Sequence, residues 1–342
     1  MNRFQGFTPH TVKGLSLVEL MISITLVSII LAGVVKLYSD SHRSSLANEG
    51  VARTQEGIRY VLDHISRSAA RAGYMGCAQF NPQGSGDSSN VLNFIDTSTD
   101  TGRLYDFEDG PVFGTNDNGL NGSDTLVLRS AITGSGVRVT SSDDDSVTVD
   151  AGELAASGIE RGDVVIVSDC ANINIFMVTS DPESTNVLQH SAIEINDVSN
   201  VTIASADRTS EEDENPFGRS SLGMLFPATG ASVAYSIETS VEATTACSNA
   251  NPESCALFSN GEELLQGVEN LQVRFGERTG NSVRYRDPDV GIDWQEVVSV
   301  ELTLTMNSVD RAFSRQDGVD GGGDGLVRKN VTHVVALRNG VL

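Results

Sequence analysis

Hydrophobic positions follow three regimes along the chain. From residue 15 to 35 they are nearly unbroken, LSLVELMISITLVSIILAGVV, a run that spans about 31 Å as a helix and so matches the hydrocarbon thickness of a bilayer. Further on, Ile58, Val61, Leu62, Ile65, Ala69 and Ala72 recur at helical spacing, while Arg53, Glu56, Arg59, Asp63 and Arg67 take the other faces, which predicts an amphipathic helix. Past residue 77 the pattern changes to short runs of Val, Ile, Leu and Thr between clusters of Gly, Asn, Asp and Ser, the signature of strands and turns.

These regimes predict one long helix over residues 15–72, stopped by Ala72-Gly73 with Gly76 close behind. Gly33, Gly50 and Gly57 mark places where it could bend or melt. Strands are expected at 125–129, 137–140, 146–149, 163–168, 173–179, 187–189, 232–238, 268–275, 297–306 and 331–338. The fold class is α+β: a long N-terminal helix packed on a large, antiparallel, sheet-rich C-terminal domain. The expected divisions are a leader over 1–14, an apolar helix over 15–37, its amphipathic continuation over 38–76, and a β-rich domain over 77–342. Residues 206–221, with Glu211-Glu212-Asp213-Glu214, read as a solvated loop.

Composition narrows the function. With 342 residues the chain can bury a sizeable core, and 23 basic against 46 acidic residues give a formal charge of −23. Such a surface repels phosphate backbones, so direct nucleic-acid binding is not expected. The leader carries Arg3 and Lys13 and no acid, which keeps it cytoplasmic and exports the remainder. The four cysteines, Cys77, Cys170, Cys247 and Cys255, lack zinc-ligand spacing and in an exported domain read as two disulfides of three formal connectivities. The short loop from Cys247 to Cys255 closes at little entropic cost, which favours that pair and leaves Cys77 for Cys170.

Glu19 is the one charge inside the apolar run, and a carboxylate there is a functional signal. A secretory signal would place a small-residue cleavage site after the run, and none is present. Gly14-Leu15-Ser16-Leu17-Val18-Glu19-Leu20-Met21 resembles the G-F-[ST]-L-[IV]-E-[LM] signature of type IV prepilins and pseudopilins. The resemblance implies cleavage by a prepilin peptidase between Gly14 and Leu15, methylation of the new amino terminus, and pairing of Glu19 with a neighbouring subunit's amino terminus during assembly. Leu15 departs from the usual Phe, and Gly6-Phe7 is a decoy with no apolar run behind it.

Further segments, Arg71-Ala72-Gly73-Tyr74-Met75-Gly76-Cys77, Gly122-Ser123-Asp124-Thr125-Leu126, the stretch from Asp163 to Cys170, the stretch from Leu264 to Leu271, and Val335-Ala336-Leu337-Arg338-Asn339, look like parts of PilW proteins in the same order. That family implies a type IV pilin-like fold and a minor pilin that primes pilus assembly and sits at the tip. The implied partners are other minor pilins, the major pilin, a tip adhesin, the inner-membrane assembly platform and the prepilin peptidase. It also implies an inner-membrane protein with a periplasmic domain that later joins the pilus. The alternatives are a type II secretion pseudopilin of the J type and a bitopic envelope binding protein.

No catalytic spacing stands out among His10, His42, His64, His190 and His333, so no enzyme and no cofactor is expected. Asp317, Asp320 and Asp324, set among glycines, are calcium candidates, as are Asp143-Asp144-Asp145 and Asp117-Asn118-Gly119. Each reads first as a solvated turn.

Overall fold

The computed structural model describes residues 16–78, 91–201, 223–310 and 325–339, apart from Ser135, Asp144, Ala171, Asp289 and Val290. In chain order its elements are α1 (Leu17–Arg71), β1 (Val91–Asn93), α2 (Asp100–Arg103), β2 (Val112–Thr115), β3 (Thr125–Leu128), β4 (Val137–Asp143), β5 (Ser146–Val149), α3 (Ala151–Ser157), β6 (Val164–Ser168), β7 (Ile173–Met177), β8 (Val187–Gln189), β9 (Glu194–Ile195), β10 (Val198–Ser199), β11 (Met224–Pro227), β12 (Val233–Thr239), β13 (Cys255–Ser259), β14 (Glu262–Gln266), β15 (Val268–Thr279), β16 (Ser282–Arg286), β17 (Val297–Asn307) and β18 (Arg328–Ala336).

α1 holds 55 residues, about 82 Å at the usual rise. Every residue from Leu17 to Leu46 is exposed, and the first helical residue to be buried is Gly50. The helix therefore has a free apolar part, a polar neck from Ser39 to Glu49, and a docked part. It ends where expected: Ala72 caps it, Gly73 follows at φ +80°, and the Gly73 N–H donates to Arg129 O.

Three sheets of four or more strands make the β region. The first runs β14-β13-β12-β3-β2 and the second β16-β15-β17-β18. Together with the docked half of α1 they enclose one core, in which Ile58, Val61, Ile65, Ala69 and Ala72 meet Leu126, Tyr235, Leu257, Leu271, Phe275, Leu302 and Leu304. The third sheet is β1-β7-β6-β11-β4-β5-β8, tied to the segment after α1 by the Cys77–Cys170 bond. All pairings are antiparallel except β1 with β7.

The third sheet is covered on both faces. Val164 and Ile166 point into a core with Met75, Tyr105 and Phe107, whereas Val165 and Val167 point into another with Val137, Val147, Leu154 and Leu188. This explains why β6 reads as an unbroken apolar run, since alternation appears only where one face is wet.

β14 and β15 are one strand bent at a corner. Gly267, at φ +86°, carries the chain from the first sheet to the second, and its N–H donates to Cys255 O while its own carbonyl accepts the Asn307 N–H. A Cβ here would lie 2.9 Å from Asn307 O, so only glycine fits both the angle and the space. Replacing Gly267 with Ala is expected to destabilise the domain by about 1–3 kcal/mol, read as a drop in thermal midpoint. An unchanged midpoint would refute this account of the corner.

Candidate assembly site

The free part of α1 presents one ionisable residue between Leu17 and Val35, Glu19 in its first turn. The hydroxyls along this part are satisfied within the helix: Ser23, Thr25 and Ser28 donate to the carbonyls of Glu19, Met21 and Ile24 at 2.7–2.8 Å. That leaves Glu19 as the side chain whose polar atoms look outward from the apolar surface. Among the described residues α1 is the one helix long and apolar enough to cross a bilayer. Gly14 and Leu15 lie outside the described residues.

The docked part is shaped by glycine as well as by the apolar stripe. A Cβ at Gly50 would stand 2.9 Å from Ser308 Cβ, and one at Gly57 would stand 2.9 Å from both Leu265 Cδ2 and Met306 Cε. The helix is continuous through both positions. They are two heptad-spaced points of close approach, Gly57 to β14 and β17 and Gly50 to Ser308 just past the end of β17. Gly33, by contrast, has nothing within 4 Å of its would-be Cβ.

A polar cluster locks the register of this contact. Tyr235, fully buried on β12, donates its hydroxyl to Ser68 Oγ at 3.1 Å and stands 3.0 Å from His64 Nδ1. The His64 ring meets the Tyr235 ring edge-on at 5.9 Å. Burial pushes the Tyr235 phenol up to about 12, so it is neutral and acts as a hydrogen-bonding peg. Burial, and then the neighbouring Arg67 and Arg71, hold His64 below its usual 6.5. Nearby, Asn339 Nδ2 donates to the carbonyls of Ala70 and Arg71, so the C-terminal segment caps the helix end.

The segments that carried the resemblance turn out to be joints. After α1, Gly76 at φ +80° lies under the Phe226 ring, where a Cβ would collide, and Tyr74 packs edge-on against the same ring. Cys77 is bonded to Cys170 at the β6–β7 turn, tying the helix end to the third sheet. Cys247 is bonded to Cys255 across the loop before β13. Asp124, buried, accepts the N–H groups of Asp117 and Val273 at 2.9 and 2.7 Å and so joins the sheet of β3 to that of β15. Burial raises its carboxyl despite those bonds. Glu269 receives Arg328 Nε at 2.8 and 2.9 Å and Asn307 Nδ2 at 2.9 Å, pinning the corner to the start of β18.

Between the cores stands Arg129, completely buried, donating to Gly110 O and Arg103 O and lying 5.8 Å from the Phe113 ring centre. Burial lowers its guanidinium to about 10, so it remains a cation. Hydrophobic periodicity assigned no joint role to Arg129, Tyr235, His64 or Asp124, because the partners of a single polar side chain lie on other elements and leave no periodic signal.

Among the described residues no group of three His, Cys, Asp or Glu could hold a metal ion. A groove of about 560 Å³ between α3 and residues 182–186 is lined by Leu154, Ile159 and Pro182 with Glu160 and Glu183. Asp317, Asp320 and Asp324 lie outside the described residues, as does Asp144, while Asp117 serves the Asp124 joint.

Two known families match the chain. The one described as Type IV Pilus-assembly protein W matches residues 234–339, and the one described as Prokaryotic N-terminal methylation motif matches residues 10–35. No curated protein and no solved structure matches. The first match runs from β12 past β18, the strands that close the core beneath α1. The second takes in Gly14, Leu15, Glu19 and the free apolar part of the helix.

Because its pKa is depressed on folding, His64 contributes stability that is complete above pH 6.5 and is lost as the pH falls from there through the folded value. Thermal stability is therefore expected to decline from pH 7.5 to pH 5, and His64→Gln should flatten that part of the profile. A His64→Gln profile that superimposes on the parent's would remove His64 from the account. Tyr235→Phe keeps the packing and should cost about 1 kcal/mol from the lost hydrogen bonds, measured by chemical denaturation.

Proposed function

The chain belongs to the PilW family of type IV pilins, and from that premise we propose that it works as a minor pilin which primes pilus assembly and remains at the filament tip. The observation that carries the reading is the division of α1 into a free apolar half with a lone carboxylate and a half bound to a sheet scaffold.

Each half has a separate task. The free half resides in the inner membrane after the leader is cut by a prepilin peptidase between Gly14 and Leu15, and the amino group of Leu15 is methylated. In the apolar bundle of a growing filament an unpaired Glu19 carboxylate is costly, so it seeks the amino terminus of a neighbouring subunit and sets the axial register. The docked half carries the sheet domain on the periplasmic side and then outward with the filament, where it meets other minor pilins and a tip adhesin. The role is structural, with no catalytic step and no cofactor.

A type II secretion pseudopilin would share the N-terminal segment. The match over residues 234–339 favours the pilus system.

Two substitutions test the reading. Gly14→Ala should leave a longer, uncleaved protein in the inner membrane, seen by intact-mass measurement, and normal processing of that variant would sink the cleavage assignment. Glu19→Ala should still be cleaved yet co-purify with partner pilins at least tenfold less, and undiminished co-purification would remove the register role.

A further inference from the structure

The apolar run of α1 has a definite upper end. Lys36 is the first charge after Glu19, and Tyr38 and His42 follow, one turn apart, with their rings stacked at 6.4 Å and nearly parallel. Nothing of the sheet scaffold covers them: residues 36–46 are exposed, and Tyr38 is 74% exposed although it is a large aromatic. Tyr38 lies 21 residues beyond Leu17, about 31 Å along the axis, which is the thickness of a hydrocarbon core. An amphipathic ring with an apolar body and a polar tip has its lowest free energy at the boundary between acyl chains and headgroups, and a lysine there reaches lipid phosphate.

We infer that Lys36, Tyr38 and His42 form a binding site for the outer headgroup layer of the membrane, fixing the depth of α1 before the subunit leaves the bilayer. The inference rests on the membrane-anchored reading above, but not on cleavage, methylation or partner pilins. The occupant is the phospholipid interface. A protein partner would not demand that the ring pair stand one hydrocarbon thickness from the first helical turn. The stacked rings cover one side of the helix, and Lys36 lies near the opposite side, so the anchor resists both sinking and rising.

The test uses the full-length chain in vesicles of phosphatidylcholine and phosphatidylglycerol whose acyl chains are brominated either near the headgroup or near the methyl end. Tyr38→Trp adds a reporter at the site, and Val27→Trp adds one near mid-span; native Trp294, packed against Phe113 and Phe275, supplies the unquenched background. Trp at position 38 is expected to be quenched at least twofold more by bromine near the headgroup, and Trp at position 27 by bromine near the methyl end. Equal quenching of position 38 at both depths, or stronger quenching from the methyl end, overturns the anchor while leaving insertion intact. Absence of quenching at position 27 overturns insertion itself, so the two failures are distinguishable. Adding Tyr38→Ala and His42→Ala to the Val27→Trp chain should spread its quenching across both depths, and an unchanged profile would show that the pair does not set the depth.

Discussion

The whole molecule depends on one helix being apolar twice over. Its N-terminal half is apolar all round, while its C-terminal half is apolar along one stripe that closes a core built from two sheets. A helix this long does not rest on propensity alone, since most helical stability in proteins comes from packing of an apolar face. The scaffold rigidifies only the part from Gly50 onward. The close approach at Gly50 and Gly57, the Tyr235–Ser68–His64 cluster and the cap from Asn339 fix rotation, height and end of the rod respectively.

Family likeness is concentrated where that rod meets its mount. Residues 234–339 supply the strands under the helix, and residues 10–35 supply the free apolar end. Between them, the sheet from β1 to β11 has its own pair of cores and touches the mount through the Cys77–Cys170 bridge, the Tyr74–Phe226 contact and the buried Arg129.

Much of this was legible from spacing. The stripe from Ile58 to Ala72 gave the buried face of α1, with Leu62 at its margin, because a helix long enough for four turns averages out local noise. The central strands β6, β7, β15 and β17 were legible for the same reason. The hairpin of β13 and β14 was passed over although Asn260-Gly261, both at positive φ, is a strong turn signal; its strands, CALFS and EELLQ, do not alternate cleanly. The short α3 was missed despite Asp150 capping Gly152 and Glu153 and Gly158 ending it. What spacing could not supply were the joints. Gly57 and Gly267 look in the sequence like any weak point of a helix or strand, and only the atoms opposite them reveal close approach.

The neck from Ser39 to Glu49 sets a distance. From Tyr38 to Gly50 is 12 residues, about 18 Å of helix, whereas electrostatic forces in physiological salt decay over about 8 Å. Of the 46 acidic residues, 24 lie between positions 91 and 230, against 6 basic ones. A stretch of sequence so acidic would be pushed away by an anionic lipid surface if it rested there. The neck is longer than that decay length, so the docked part of α1, which begins at Gly50, starts beyond the reach of such repulsion.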